Sequence, residues 1–248
     1  MKTRFFNLAL VACALVFIGF SGGTARADIV YLGPRVVQPS GQGVVPTVLT
    51  LQENGPAGSR DGIESGAVRR VNGHDELSGD AKAGVNSKTI LFTDLKNNAG
   101  IAGAANLGIF LDIVEPGNDN LLTIQGRDSL VLTAYKNDGT VLDNFFYTGE
   151  FRNLTATPGP GGGRSDHAFG LDSVQAARLQ TLINANADLR LGLAATLGSA
   201  FGGPDQFFFG AINAAPQSVP EPATLLLLGT GVAGVAARVR KRGLKSRK

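Results

Sequence analysis

The sequence is poor in the residues that carry much of protein chemistry. Its 248 residues include one cysteine, two histidines and no tryptophan. The cysteine, Cys13, lies in an apolar run before residue 28, so the chain after it has no disulfide, thiol nucleophile or cysteine-ligated metal site. The histidines, His74 and His167, lie far apart and show no zinc-binding spacing with the scattered carboxylates.

Basic residues are scarce in the middle of the chain. The formal net charge of +3 comes from 23 basic and 20 acidic residues. All 20 acids lie between Asp28 and Glu221, and only 13 of the bases do, so this part carries a net charge of −7. Binding to nucleic-acid phosphates requires a basic surface, so we expect no nucleic-acid partner. Basic ends around an acidic body indicate membrane targeting.

Residues 1–27 have the pattern of a secretory signal peptide. Lys2 and Arg4 precede an apolar run over 5–20, and Ala25-Arg26-Ala27 follows at the distance of a cleavage site. The pattern predicts Ala25 and Ala27 as the signal-peptidase site, with the Sec translocon and signal peptidase as partners. Two alternatives remain: an uncleaved membrane helix, and a lipoprotein signal in which Cys13 of Leu-Val-Ala-Cys is lipidated.

The other basic end follows a short apolar segment. Residues 223–237 contain no charge, and as a helix they would span about 22 Å, less than the ~30 Å hydrocarbon core. Local thinning of the bilayer and snorkelling arginines would accommodate this length. The positive-inside rule places the 238–248 tail in the cytoplasm and the acidic body across the membrane. The residues predicted to form the basic stop-transfer tail are Arg238, Arg240, Lys241 and Arg242.

The segment 214–248 contains Pro220-Glu221-Pro222, leucines at 225–228 and an arginine-rich close. In these features it resembles the PEP-CTERM sorting signal of Gram-negative bacteria. The resemblance implies recognition of Val219, Pro220, Glu221 and Pro222 by an exosortase. It also implies a transient inner-membrane anchor with a periplasmic ectodomain, then the cell surface, extracellular matrix or biofilm, with exopolysaccharide as a partner. The alternative is a plain C-terminal anchor.

The body between these segments is expected to form one domain. Residues 28–88 are rich in glycine and proline and predict an irregular part with a strand at 44–51. In 89–213, short apolar runs alternate with turn residues at 89–95, 107–114, 121–125 and 207–212. This pattern predicts an all-β ectodomain resembling a β-sandwich or jelly roll. Three runs in 89–213 carry a further resemblance: residues 115–119 (Glu-Pro-Gly-Asn-Asp), 130–135 (Leu-Val-Leu-Thr-Ala-Tyr) and 202–208 (Gly-Gly-Pro-Asp-Gln-Phe-Phe). In these runs the segment resembles ectodomains found ahead of PEP-CTERM signals, which implies location and fold rather than an activity.

Two local patterns inside 89–213 are more specific. Residues 128–135 and 140–147 flank Lys-Asn-Asp-Gly, which predicts an antiparallel hairpin. Residues from about 173 to 187 predict the single helix of the domain, capped by Asp172 or Ser173. The segment 189–197 reads as strand by alternation and as helix by its alanines.

No catalytic, cofactor or metal site is predicted. Ser165-Asp166-His167 holds the residue types of a nucleophile triad, but sequence neighbours do not reach one another in that geometry. The pairs Asp75/Glu76 and Asp112/Glu115 are possible glycosidase carboxylates. Calcium is open as a cofactor, because the acidic body offers oxygen ligands without a recognised loop pattern. The candidate calcium ligands are Asp112, Glu115, Asp119, Asp138 and Asp143.

Three functions follow in order of preference. The first is a non-enzymatic structural or adhesive matrix component, exported and sorted by exosortase. The second is a carbohydrate-binding or calcium-dependent adhesion module, which clustered aromatic residues on one sheet face would favour. The third is a secreted hydrolase.

Overall fold

The computed structural model describes residues 29–34, 47–53, 62–84, 87–114, 121–156, 167–200 and 203–212. The predicted signal peptide at 1–27 and the predicted sorting segment at 214–248 lie outside these residues.

Within the described residues, the chain forms mainly antiparallel β-structure with two α-helices and two short 3₁₀ helices. The strands are β1 (Ile29–Pro34), β2 (Thr47–Leu51), β3 (Ile63–Val71), β4 (His74–Gly79), β5 (Ile90–Leu91), β6 (Leu107–Asp112), β7 (Leu121–Ile124), β8 (Leu130–Tyr135), β9 (Val141–Phe146), β10 (Arg152–Thr155), β11 (His167–Leu171), β12 (Arg190–Gly198) and β13 (Asp205–Ala211). The helices are α1 (Phe92–Asn98) and α2 (Ser173–Ala185), and the 3₁₀ turns are Ala104–Asn106 and Arg127–Ser129. This composition confirms the predicted all-β class.

The strands form two antiparallel sheets. Sheet A has the order β1-β11-β6-β13-β2. Sheet B is centred on β12, which pairs with β8 along residues 190–195 and with β3 along residues 194–198 on its opposite edge. Beyond these strands, β9 extends the sheet from β8 and β4 extends it from β3. The short β5 pairs with the start of β12, and β7, followed by β10, meets the end of β12 at Gly198.

The core lies between the two sheets. Alternate residues of β6 and β13 from sheet A and of β8 and β12 from sheet B join one hydrophobic cluster. Ile109, Phe207, Leu132 and Leu193 represent these four strands, and each is at most 1% exposed. Because side chains alternate across a strand, each inward residue leaves its neighbours on the outer face of its sheet. This alternation positions the site described below.

Local sequence explains the helix boundaries. Asp172 caps α2, since its carboxylate accepts hydrogen bonds from the backbone N–H groups of Val174 and Gln175 at 2.8 and 2.9 Å. The sequence predicted a single helix, so α1 is a correction. It was missed because 89–95 resembles a short apolar strand. Phe92 and Leu95, spaced for one face of a helix, are both buried there.

One sequence expectation is corrected and one ambiguity is resolved. The part 28–88 was expected to be irregular with a strand at 44–51; its described residues contain four strands, of which β2 lies within the predicted one. Strands β1 and β2 form the two edges of sheet A, while β3 and β4 belong to sheet B. Its glycines and prolines therefore separate short strands of the same domain. The ambiguous segment 189–197 is the central strand β12, because its leucines alternate inward as a buried strand requires.

Candidate functional site

The outer face of sheet B carries only small side chains along its centre. On β12, Leu191, Leu193 and Leu197 enter the core, so the residues between them face outward. These outward residues, together with their partners on β3, are small: Gly192, Ala194, Thr196, Ala67 and Ser65. Because these side chains are short, they form a shallow floor, and the larger side chains of the flanking strands rise above it.

Larger side chains border this floor on the β8–β9 side. In the β8–β9 pairing, Val131 lies opposite Phe146, and Thr133 lies opposite Asn144. Tyr135, the last residue of β8, also borders the floor, and its ring lies against Gly192. A Cβ added to that glycine would lie 3.0 Å from Tyr135 Cε2. The absence of a side chain at position 192 therefore leaves room for the Tyr135 ring.

The floor and its borders enclose a groove of about 650 Å³. A second depression of about 400 Å³ near the β3–β4 and β8–β9 turns shares Arg69, Tyr135 and Val141 with it. We call the two together the outer groove. It runs along β3 from Ser65 to Val71, a distance of about 20 Å at the ~3.3 Å rise of a strand residue.

Hydrogen bonds fix several polar groups in the outer groove. The Thr133 hydroxyl donates to Asn144 Oδ1 at 2.8 Å, which orients the amide nitrogen of Asn144 away from Thr133. The hydroxyls of Ser65 and Thr196 lie 2.8 Å apart across β3 and β12. The Ser65 N–H also donates to the carboxylate of Asp80 at 2.8 Å, which anchors this end of the groove.

The charges that line the groove are balanced. Arg69 and Asp128 are both exposed and are the charged residues of the larger depression. Burial raises the pKa of the Tyr135 phenol, and the hydrogen bond with Thr133 and the nearby Arg69 charge partly oppose this shift. The guanidinium of Arg127 lies 4.1 Å from the centre of the Phe146 ring, a cation–π contact at the groove border.

His167, whose residue type was considered for a nucleophile triad and set aside, forms hydrogen bonds within the fold. It is buried at the start of β11, where Nδ1 lies 2.8 Å from the Tyr31 hydroxyl and Nε2 lies 3.1 Å from the Thr155 carbonyl oxygen. Ser165 and Asp166 lie outside the described residues. Both ring nitrogens of His167 therefore have structural hydrogen-bond partners.

The proposed carboxylate pairs do not form a site within the described residues. Asp75 and Glu76 are neighbours on β4 and point to opposite faces of the strand. Asp75 accepts hydrogen bonds from Arg70 and Thr89. Asp112 is buried at the end of β6, and its proposed partner Glu115 lies outside the described residues.

The candidate calcium ligands are also separated. Asp138 accepts a hydrogen bond from the Thr140 N–H in the β8–β9 turn, and this bond lowers the pKa of its carboxyl group. Asp143 pairs with Arg178 of α2. Glu115 and Asp119 lie outside the described residues, within which no three His, Cys, Asp or Glu side chains are placed to hold a metal ion.

The β3–β4 side of the outer groove was not predicted from the sequence. The β3–β4 hairpin supplies Ser65, Ala67 and Arg69, yet the sequence interpretation placed this region in the irregular part. The available signal was Asn72-Gly73, a two-residue turn with positive φ at both positions, 48° and 78°. Asn-Gly between two strand-like runs is among the strongest short-range hairpin signals.

Comparisons with known proteins bear on the end of the chain. Residues 218–241 match the PEP-CTERM protein-sorting motif. The chain therefore carries the sorting motif that the sequence predicted, and this motif marks an exported protein processed by exosortase. No curated protein and no solved structure matches the chain. The motif residues lie outside the described part, where neither α-helix has the length and apolar content needed to span a bilayer.

Proposed function

We propose that this chain, which carries a PEP-CTERM protein-sorting motif at residues 218–241, is a non-enzymatic surface protein with an adhesive or structural role. The observation that carries the proposal is the motif itself, joined to a compact β-sandwich. Exosortase would act on Val219–Pro222, after which the sandwich functions at the cell surface or in the extracellular matrix.

The route to the surface uses both charged ends of the sequence. Residues 1–27 would direct the chain to the Sec translocon and be removed at Ala25 and Ala27. Residues 223–237 would then hold the protein in the inner membrane, with the tail at 238–248 in the cytoplasm. This order places the sandwich in the periplasm before sorting. Both segments act in transport, so neither contributes to the mature activity.

A structural or adhesive role fits the chemistry of the described residues. Two of the residues considered for catalysis have structural partners: His167 bonds to Tyr31 and Thr155, and Asp75 bonds to Arg70 and Thr89. A hydrolase requires an acid, base or nucleophile directed at a substrate. The outer groove instead presents hydroxyls, the amides of Asn72 and Asn144, and equal numbers of arginines and acids.

The sorting step is tested by replacing Pro220, Glu221 and Pro222 with alanine in the full chain, in cells that contain the exosortase. We expect the variant to accumulate in the membrane with its C-terminal segment still attached, as measured by intact mass after fractionation. The matched control replaces Asn213, Pro216 and Gln217 with alanine, three positions just before the matched residues.

The control is expected to be processed like the wild type, because it leaves 218–241 intact. Equal processing and equal release of the motif variant and the wild type would contradict sorting through this motif. The same mass measurement also reports removal of 1–27 and any lipid on Cys13.

A further inference from the structure

We infer that the outer groove of sheet B is a binding site for a neutral, extended glycan chain. The inference deepens the proposed function, since an adhesive surface protein requires a ligand site facing outward. The groove is built from five strands, β4, β3, β12, β8 and β9, so its walls are held by the rigid part of the fold.

The shape of the groove suits a chain rather than a compact molecule. Its larger part, about 650 Å³, lies within the ~300–1,000 Å³ range of ligand sites. It continues into the second depression past Arg69, Tyr135 and Val141, and both parts are open to solvent. A path of about 20 Å along the strand direction accommodates several sugar units end to end.

The polar groups match sugar hydroxyls. Because Thr133 already donates to Asn144 Oδ1, the amide nitrogen of Asn144 presents its N–H donors to the groove. The Ser65–Thr196 hydroxyl pair uses one proton between its two oxygens, and the other hydroxyl proton is left for a ligand. Sugar hydroxyls both donate and accept, so fixed amide and hydroxyl groups of this kind recognise them.

The apolar groups match the carbon-bound faces of a sugar ring. The half-buried ring of Phe146 and the side chain of Val131 lie next to Asn144 on the groove border. Farther along, Ala194 lies in the floor, and the Tyr135 ring, which is only 5% exposed, borders it. Alternation of apolar surface with oriented polar groups is the usual composition of small-molecule and sugar sites.

The charges of the outer groove disfavour an anionic chain, and its position on the sheet disfavours an extended peptide. An anionic chain would require an excess of positive charge, whereas the two depressions are lined by two arginines, Arg69 and Arg70, and two acids, Asp128 and Asp138. An extended peptide commonly binds by adding a strand to a free sheet edge. The centre of the outer groove lies over β3, β12 and β8, each of which is paired on both sides.

The test measures binding of purified oligosaccharides to protein isolated from cells that produce the full chain. The probes are cellohexaose, laminarihexaose and mannohexaose as neutral chains, hexagalacturonate as an anionic chain, and an extended threonine-valine peptide. Titration calorimetry is run on the wild type, on Ala194→Phe, which fills the floor, and on Asn144→Ala, which removes the amide. The matched control is Ala177→Phe, the same change at an exposed position of α2.

We expect at least one neutral hexasaccharide to bind the wild type and Ala177→Phe equally. Ala194→Phe should lose about tenfold or more in affinity, and Asn144→Ala about three- to tenfold, the effect of one or two hydrogen bonds. Asn144 is exposed, so its variant keeps the test valid if Ala194→Phe misfolds.

Three results would overturn the inference: no neutral hexasaccharide binds; only hexagalacturonate or the peptide binds; or every groove variant that folds binds like the wild type. The sorting proposal is judged separately, by processing of the motif variant. Absence of glycan binding with normal motif dependence would therefore reject the groove assignment alone.

Discussion

The hydroxyl of Tyr31 donates a hydrogen bond to Nδ1 of His167 across a distance of 2.8 Å. The direction follows from the other ring nitrogen. His167 Nε2 lies 3.1 Å from the Thr155 carbonyl oxygen, which only accepts, so Nε2 carries the proton and Nδ1 is the acceptor. Tyr31 and His167 belong to sheet A and Thr155 belongs to sheet B, so this histidine joins the two sheets.

Tyr31→Phe should lower the free energy of unfolding by about 1–2 kcal/mol, because it leaves a buried acceptor on His167 without its donor. Urea unfolding followed by circular dichroism measures the change. The control is a double-mutant cycle with His167→Phe. In that background, Tyr31→Phe should cost less than about 0.5 kcal/mol, since the acceptor is already gone. Equal costs in both backgrounds would show that the hydrogen bond contributes nothing.

The three tyrosines predict a loss of stability at alkaline pH. Burial raises the pKa of Tyr31, Tyr135 and Tyr147. In the unfolded chain they ionise near the ordinary value of about 10, whereas the folded protein holds their protons to higher pH. Their contribution to stability is therefore intact below about pH 10 and is lost as the pH rises through the folded pKa values. Urea unfolding at several pH values from about 8 to about 11 measures this decline.

Phenolate absorbance provides an independent readout of the same groups. The chain contains no tryptophan and three tyrosines, so the ultraviolet titration reports tyrosine alone. Tyr135→Phe should remove one of three titrating groups and make the decline in stability less steep. Native protein in which all three phenols titrate at the ordinary tyrosine pKa would contradict the burial effect.

A chelator is expected to leave the melting temperature unchanged within about 1 °C, since no metal-linked stabilisation of the folded state is expected. Asp138 and Asp143, two of the candidate calcium ligands, already bond to Thr140 and to Arg178. Differential scanning calorimetry with and without chelator is the measurement, and re-addition of calcium is the control. A fall of many degrees that calcium reverses would establish a calcium site.

The fold was most predictable where turn chemistry and alternation agree. Lys-Asn-Asp-Gly between two apolar runs predicted the β8–β9 hairpin, which the structure confirms. Of the two predicted cap candidates, Asp172 and Ser173, Asp172 caps α2. In β8, Leu130, Leu132 and Ala134 lie in the core, and Val131, Thr133 and Tyr135 lie on the opposite face, which forms one side of the outer groove.

The remainder required tertiary information. The strand at 47–51 falls within the predicted 44–51, but the run at 29–34 was not recognised as a strand. Both runs are short, and their place in sheet A depends on pairing with β13 and β11 far along the chain. The groove floor joins β3 to β12, which are more than 100 residues apart. No local pattern specifies such a pairing, so the site could not be assembled from sequence alone.

The outer face of sheet A provides a packing prediction. Phe110 stacks on Phe208 with ring centres 5.4 Å apart. A Cβ on Gly108 would lie 2.7 Å from Phe110 Cε2 and 2.6 Å from Ile212 Cγ2. Gly108→Ala should therefore destabilise the protein by about 1–3 kcal/mol, the usual cost of overpacking. Urea unfolding measures it. In a Phe110→Leu background the cost should shrink, and an unchanged cost would place the strain elsewhere.

A polar network joins the β3–β4 hairpin to the rest of sheet B. Asp75 accepts from Arg70 Nη1 at 3.1 Å and from the Thr89 N–H and hydroxyl at 3.1 and 2.5 Å. Arg190 in turn donates to the Thr89 hydroxyl and carbonyl oxygens at 2.8 and 2.6 Å. The Asp75 side chain is 23% exposed, so solvent weakens its ion pair with Arg70 in part.

Asp75→Ala should lower the free energy of unfolding by about 1–3 kcal/mol, because Thr89 and Arg70 lose their acceptor. Glu76→Ala is the matched control: the same class of side chain, on the next residue of the same strand, exposed on the opposite face. It should change stability by less than about 0.5 kcal/mol. Urea unfolding of both variants measures the two changes in the free energy of unfolding. Equal losses would mean that strand propensity, rather than the network, accounts for the role of Asp75.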